Sequence, residues 1–142
     1  MKVEFHGEAR LENLGSVREF VAGACRQAGA DSSFCFDLKS AVDEACTNII
    51  LHGYREREPG SLDVCFEEDA ERMVVTITDR GRSFAPGEIP APDLSSPWRE
   101  RAAGGLGWHL IRKMVDEVEY QADGEKGNRL ILVKRRNSGG RL

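Results

Sequence analysis

The chain has 142 residues, 40% of them hydrophobic and 31% charged, so it is long enough for one buried core and too short for two ordinary domains. Its 20 basic and 24 acidic residues leave a net charge of −4, which disfavours binding to nucleic acid phosphates. There is neither an apolar run of about 18 residues nor the apolar stretch of a secretory signal, so we expect a cytoplasmic protein without a membrane partner.

The N-terminal residues predict a strand and then a helix. Val3 and Phe5 alternate with polar residues, as do Ala9 and Leu11 beyond them, which is the pattern of a strand that faces a core. Ser16 then precedes an apolar stripe at helical spacing. A first helix is therefore predicted from Ser16 to residue 28.

The second helix has the clearest pattern in the chain. Side-chain oxygens that can cap its start are available over 31–33, and Gly53 supplies a stop at its end. Between them the apolar residues recur at helical spacing. These residues are Phe34, Leu38, Ala41, Val42, Ala45 and Ile49.

A hairpin and a long loop are predicted next. Two β-rich runs, Ser61 to Glu67 and Arg72 to Thr78, are joined by a short polar turn. No periodic pattern holds from Arg80 to Leu106, which contains several prolines and glycines. Because loops longer than about 12 to 15 residues are usually lids, binding loops or disordered segments, this one is either functional or an unstructured insertion.

The C-terminal part predicts a third helix and two short strands. Apolar residues recur at helical spacing over 108–115, and the runs 118–120 and 130–133 are β-rich. The order of elements contains too few alternating β-α units for a doubly wound sheet. We therefore predict an α+β sandwich with the helices on one face of the sheet.

The four cysteines are the first candidates for chemistry. Cys25, Cys35, Cys46 and Cys65 form no C-x-x-C pair, so free and buried thiols are expected rather than a zinc or redox site.

Glu44 and Asn48 lie four residues apart on the second predicted helix and therefore project from one face. An amide oxygen is a hard ligand suited to Mg²⁺, and a carboxylate nearby can take a proton from an attacking hydroxyl. The same spacing also occurs by chance on many solvated helix faces. The pair alone leaves both interpretations open.

Asp79 stands where the second hairpin strand ends, two residues before Gly81. A buried carboxylate at this place can accept a hydrogen bond from an exocyclic amine such as adenine N6, and a glycine lets the backbone approach a flat ring. An ordinary turn after a strand is the alternative.

Three glycines precede the third predicted helix. The run Gly104, Gly105, Leu106, Gly107 leads directly to Trp108, near which that helix is expected to begin. Such glycines expose backbone N–H groups, and the helix dipole attracts a polyphosphate, although glycines also simply form turns. The run is neither a Walker A loop nor a Rossmann fingerprint, because neither a following Lys-Ser/Thr nor a directly preceding strand is present.

Taken in order, the segments 42–54, 79–84 and 104–111 resemble the N, G1 and G2 boxes of the GHKL (Bergerat-fold) ATPases. The likeness is closest to the anti-sigma-factor serine/threonine kinases, in which a Glu-Ala-x-Thr-Asn helix ending in His-Gly-Tyr is typical. The resemblance covers roughly residues 5–135. It implies one kinase domain over 1–142, a two-layer sandwich whose mixed, mostly antiparallel sheet carries about three helices.

The resemblance also implies ATP and Mg²⁺ as cofactors, with roles for named residues. Asn48 becomes the Mg²⁺ ligand, Glu44 the general base, and Asp79 the contact to adenine. The other residues implied to bind nucleotide are Gly81 and Phe84 of the base-pocket motif, Gly104, Gly105, Leu106 and Gly107 at the phosphates, Arg101 in an ATP lid over about 80–106, and Asn128.

Two of these assignments stay open. Arg99 is an alternative to Arg101, and many relatives carry Thr after the glycine that corresponds to Gly127, where this chain has Asn128. A hydroxyl there helps to bind near the adenine, and an amide can replace that hydrogen bond. Histidine kinases share the fold but need a further dimerisation helix, so the histidines are expected to be structural; these are His6, His52 and His109.

The function implied by the resemblance is transfer of the ATP γ-phosphate to a serine or threonine of an anti-sigma-factor antagonist with a STAS domain. Binding of a sigma factor or a related target is the alternative complex, and a homodimer is implied as well. The competing hypothesis is a non-catalytic switch that only sequesters a protein. Asn128 favours the switch, whereas Glu44 beside Asn48 favours the kinase.

Overall fold

The computed structural model describes residues 1–54, 58–83, 105–122 and 127–136. Within these ranges five strands form one layer and three helices form the other. In chain order the elements are β1 (Lys2–Glu8), α1 (Leu14–Gln27), α2 (Ser32–Gly53), β2 (Ser61–Glu68), β3 (Arg72–Asp79), α3 (Gly105–Met114), β4 (Glu117–Ala122) and β5 (Asn128–Arg135), with a 3-10 turn at Leu11–Asn13 before α1.

The sheet has the strand order β1-β2-β3-β5-β4, and all four of these pairings are antiparallel. This arrangement confirms the predicted α+β class. Every second residue of β3 is buried, because alternate side chains of a strand point to opposite faces. The buried set is Met73, Val75, Ile77 and Asp79, so the acidic residue continues the face that packs against the helices.

Helix α2 lies between α1 and α3 in the helical layer and contacts both. It begins at the predicted cap, where Asp31 Oδ1 accepts a hydrogen bond of 2.8 Å from Phe34 N. Its inward face buries apolar residues along its whole length, which explains why so long a helix is stable. The prediction of α2 from residue 31 to Gly53 is confirmed.

The first strand is shorter than the alternation of apolar residues suggested. It ends at Glu8, which pairs with Ser61, the first residue of β2, so the chain has no strand partner beyond this point. Ala9 is buried, but Leu11 is 51% exposed on the 3-10 turn, and its expected place in a core-facing strand was wrong. Helix α1 consequently starts at Leu14, before the predicted Ser16.

The hairpin is confirmed, and its turn is held by Asp69, whose Oδ1 accepts hydrogen bonds from Glu71 N and Arg72 N. Strands β4 and β5 both extend beyond the predicted runs. Their added residues are mostly polar, which masked the strand pattern, and their backbone pairing rather than their side chains continues the sheet.

All four cysteines are free. Three of them are buried and Cys65 is half-buried. No group of three or more His, Cys, Asp and Glu side chains that could hold a metal occurs in the part of the chain that the structure describes. None of the helices described is both long and apolar enough to cross a membrane.

Candidate functional site

The carboxylate at the end of β3 is buried and held from one side. Asp79 is 2% exposed, and its Oδ1 accepts hydrogen bonds from Gly81 N at 2.8 Å and from Asn128 Nδ2 at 3.1 Å. Among the described residues no hydrogen bond reaches Oδ2. One oxygen of the carboxylate is therefore fixed, and the other retains its capacity to accept.

The surroundings of Asp79 act on its pKa in opposite directions. Burial raises the pKa, while the hydrogen bonds from Asn128 and Gly81 and the nearby His52 lower it, and the net result is a raised pKa. Water is largely excluded here, so a hydrogen bond to Oδ2 is stronger than it would be at the surface.

Asn128 lies directly opposite Asp79 in the β3–β5 pairing and is itself 3% exposed. In addition to the bond to Asp79, its Nδ2 donates to Gly81 O at 2.9 Å. Its Oδ1 accepts from Ser83 Oγ at 2.6 Å. The hydrogen bonds of this side chain therefore go to protein groups and join the end of β3, the turn after it and the start of β5.

Two glycines permit the close approach of these backbone segments. A Cβ added at Gly81 would lie 2.6 Å from Gly53 O, at the last residue of α2, and Arg82 N donates to the same oxygen at 2.8 Å. Gly127 has a φ of 87°, and a Cβ there would lie 2.6 Å from Asp79 O. Larger residues at these two positions would push the three segments apart.

Tyr54 and Ser83 belong to the same assembly, although the sequence had assigned neither of them a role. The Tyr54 hydroxyl accepts from Arg80 N at 2.8 Å and donates to Ser61 O at 3.0 Å. Burial raises the pKa of Tyr54, which keeps the hydroxyl protonated as a donor. The position of Tyr54 immediately after the helix-ending Gly53 was a usable signal, whereas no local pattern marks Ser83.

Glu44 and Asn48 lie on one flank of α2, and both are partly exposed. Asp43 marks the opposite flank, because its Oδ1 pairs with Arg18 of α1 at 2.9 Å. At about 100° per residue, Glu44 and Asn48 are about 100° and 140° around the helix from Asp43, on the side away from α1. The helix thus brings the two residues together as its spacing predicted.

The amide of Asn48 is only partly satisfied. Its Nδ2 is buried, and within the described residues it has no hydrogen-bond partner. A buried polar atom without a partner costs about 1–3 kcal/mol, so such atoms usually mark a place where a ligand or ordered water binds. Since rotation of the amide exchanges its oxygen and nitrogen, the same position can present a carbonyl oxygen to a cation.

The glycine-rich run begins a helix rather than preceding one. Gly105, Leu106 and Gly107 form the first turn of α3, three residues before the expected start at Trp108, which is buried and packs α3 onto the core. The backbone N–H groups of a first turn lack partners within the helix and attract anions. Several predicted site residues lie outside the described residues, as does most of the predicted lid; they are Phe84, Arg99, Arg101 and Gly104.

The predicted site residues that the structure describes fall into two neighbouring groups. Asp79, Gly81 and Asn128 are hydrogen-bonded to one another. Glu44 and Asn48 share a flank of α2, whose last residue touches Gly81. This arrangement provides one buried acceptor, one amide and one carboxylate around the C-terminal half of a single helix.

Comparison with known proteins shows a consistent relationship. Residues 7–134 match the family described as the histidine kinase-like ATPase domain. The chain is 37% identical over 125 residues to "Serine-protein kinase RsbW" of Halalkalibacterium halodurans, covering 85% of this chain and 76% of the relative. It is 28% identical over 137 residues to the protein of the same name from Bacillus cereus, covering 94% and 84%.

Two solved structures share the fold. One contains the RsbU and RsbW domains of a Mycobacterium tuberculosis protein and aligns with a TM-score of 0.68 and 20% identity over 95% of this chain. The chain spans only 32% of that structure. The other is a histidine kinase domain from Erythrobacter litoralis, with a TM-score of 0.55 and 18% identity over 85% of this chain and 60% of that one.

Proposed function

The chain belongs to the histidine kinase-like ATPase family and, within it, to the serine-protein kinases named RsbW, and we propose that it transfers phosphate from ATP to a protein serine. The relatives' names supply the reaction class. The residues of the site supply the argument for how this chain carries it out.

The observation that carries the proposal is Asp79, a buried carboxylate with one oxygen held and the other available. An ionised carboxylate only accepts hydrogen bonds, so it suits the exocyclic amine of adenine and opposes the 6-oxo group of guanine. Gly81 lies next to it, and its lack of a side chain lets the end of α2 approach the turn that holds Asp79. These features favour an adenine nucleotide.

Asn48 fits the proposed metal. Its buried amide nitrogen lacks a partner among the described residues, and an amide oxygen at this position is a hard ligand of the type Mg²⁺ prefers. Bound Mg²⁺-ATP supplies the transferable phosphoryl group and neutralises much of the charge that its transfer involves. The first-turn N–H groups of α3 are suited to bind phosphate oxygens.

Glu44 is the proposed general base. It lies one helical turn before Asn48 on the same flank of α2, so its carboxylate can reach a hydroxyl that approaches a nucleotide bound at Asn48. It would accept the proton that the serine hydroxyl loses as the new O–P bond forms and the bond from the γ-phosphorus to ADP breaks. Bases of this kind contribute about 10²- to 10⁴-fold to the rate.

The finer assignment of partners extends the family resemblance. We propose that the phosphorylated protein is an anti-sigma-factor antagonist with a STAS domain and that a sigma factor or related target is held in the alternative complex. These partners imply that the protein acts in the cytoplasm as an anti-sigma factor. A homodimer is proposed on the same resemblance.

The test combines nucleotide binding with phosphate transfer. We would titrate ATP with Mg²⁺ by calorimetry into wild type, Asn48→Ala, Glu44→Gln and the matched control Asn13→Ala, whose side chain bonds Glu8 O of β1, two strands away from β3 in the sheet. Each protein would then be incubated with labelled ATP and candidate antagonists. We expect weak binding for Asn48→Ala, unchanged binding but at least about 100-fold slower transfer for Glu44→Gln, and wild-type behaviour for the control.

Two results would contradict the proposal at different levels. Equal transfer rates for Glu44→Gln and wild type would remove Glu44 as the base. A wild-type protein that binds no ATP would show that the protein is not a kinase and would favour the alternative hypothesis, a non-catalytic switch that sequesters its partner.

A further inference from the structure

We propose that Asn128 is a positioning residue for base recognition, which orients Asp79 toward a 6-amino purine without touching the nucleotide itself. The inference rests on the proposed ATP-binding function and deepens it. It concerns how this chain distinguishes an amine from an oxo group at one position of the base.

The hydrogen bonds of Asn128 leave no donor for a ligand. A side-chain amide has two N–H groups, and Nδ2 of Asn128 contacts two acceptors, Asp79 Oδ1 at 3.1 Å and Gly81 O at 2.9 Å. The residue is 3% exposed, so its remaining surface is covered by protein. Asn128 can therefore act on a bound base only through the groups it holds.

Ser83 determines which end of the amide faces Asp79. Its Oγ donates to Asn128 Oδ1 at 2.6 Å, which holds the carbonyl end on the Ser83 side and leaves Nδ2 toward the carboxylate. The reversed amide would set an oxygen against the buried carboxylate of Asp79 and lose both donated bonds. A threonine at position 128 has one hydroxyl proton, which cannot serve Asp79 and Gly81 at the same time.

The bond from Asn128 also favours the ionised form of Asp79, which is the form that accepts from an amine. Burial favours the protonated carboxyl, and the N–H groups of Asn128 and Gly81, with His52 on α2, oppose this effect on the pKa. Cys46 on α2 and Tyr54 just after this helix also interact electrostatically with Asp79, and the raised pKa of each keeps it neutral, so neither supplies a charge. Without Asn128 a larger fraction of Asp79 is protonated.

Protonation would change the preference for the base. An ionised Asp79 Oδ2 accepts from a 6-amino group, whereas a protonated carboxyl can donate to a 6-oxo group. Loss of Asn128 should therefore weaken recognition of adenine more than recognition of hypoxanthine. A residue that merely fastened β3 to β5 would weaken the binding of both bases to the same extent.

The experiment compares ATP with inosine triphosphate, which carries a 6-oxo group in place of the amine. Both would be titrated with Mg²⁺ over a range of pH into wild type, Asn128→Ala, Asn128→Thr and the control Asn13→Ala. We expect wild type to prefer ATP, and Asn128→Ala to bind ATP about 10-fold more weakly or worse with a smaller ATP-to-ITP affinity ratio. On acidification, Asn128→Ala should lose ATP binding at a higher pH than wild type does. The ATP affinity of Asn128→Thr should lie between those of wild type and Asn128→Ala.

The inference is overturned by a folded Asn128→Ala protein that keeps the wild-type ratio and pH profile. If this variant does not fold, Asn128→Thr replaces it, because its single hydroxyl proton cannot serve both Asp79 and Gly81. Asn128→Thr should lower the ATP-to-ITP ratio, and an unchanged ratio overturns the inference. Failure of wild type to bind ATP would instead refute the proposed function, and the inference with it.

Discussion

The replacement of Gly127 by alanine tests whether the close packing around Asp79 matters for both folding and binding. Gly127 has a φ of 87°, and an added Cβ would lie 2.6 Å from Asp79 O and 3.4 Å from Arg80 Cγ. Gly29 offers a matched control, because its φ is 88° and an added Cβ would meet nothing within 4 Å. The two substitutions share the backbone strain and differ in the clash.

The expected magnitudes follow from this difference. An alanine in the left-handed region costs about 1–2 kcal/mol, which is the whole expected effect of Gly29→Ala on the free energy of unfolding. The contact with Asp79 O is with backbone, which cannot rotate away, and overpacking of this kind adds about 1–3 kcal/mol. We therefore expect Gly127→Ala to lose about 2–5 kcal/mol in total.

Urea denaturation of the two variants and wild type measures these losses, and calorimetry with ATP and Mg²⁺ measures the consequence for the site. Because the clash displaces Asp79 and the adjacent Asn128, Gly127→Ala should weaken ATP binding, while Gly29→Ala, at the end of α1, should leave it unchanged. Equal losses of stability in the two variants, or equal ATP affinities, would refute the reasoning from close packing.

Three further predictions concern parts of the fold away from the site. Arg136→Ala should lower the free energy of unfolding in urea by about 1–3 kcal/mol, because its guanidinium bonds the end of α1 and the β2–β3 turn. The control Arg135→Ala removes an exposed ion pair and should change this free energy by less than about 0.5 kcal/mol. Equal effects of the two substitutions would contradict the prediction. Gly23→Ala should raise the melting temperature, with a gain of about 0.5–1 kcal/mol, because the position is inside α1 and an added Cβ meets nothing within 4 Å; a loss would reveal a hidden contact. The hydrogen bond to Asp63 raises the pKa of His6, so the stability that this pair contributes is present below the ordinary histidine pKa and is lost as the pH rises through the raised pKa. An NMR titration should show a lower His6 pKa in Asp63→Asn than in wild type. An unchanged His6 pKa would exclude the pairing.

Much of the fold could be predicted because it rests on short-range patterns. The second helix carried its cap, its apolar stripe and its stop within 23 residues, from Asp31 to Gly53, and the structure reproduces all three. The hairpin could likewise be predicted from two β-rich runs and a polar turn. The errors occurred at the ends of elements, where the neighbouring strand decides the boundary. Strand β1 ends at Glu8 because its partner β2 has no residue before Ser61. Strand β5 starts before its apolar run because Asn128 pairs with Asp79 of β3.

The candidate site divides in the same way. Glu44 and Asn48 could be placed on one flank of α2 from their spacing alone, since the geometry of a helix relates residues four apart. The environment of Asp79 could not be inferred in this way, because Asn128 is 49 residues further along the chain and Ser83 is 45 residues from Asn128. Local spacing thus identifies candidate residues for the proposed chemistry. Only the packing of β3 against β5 and the end of α2 decides that one oxygen of Asp79 is held and the other is left to accept. The physical reason is that hydrogen bonds between segments distant in sequence form only when the strands have paired.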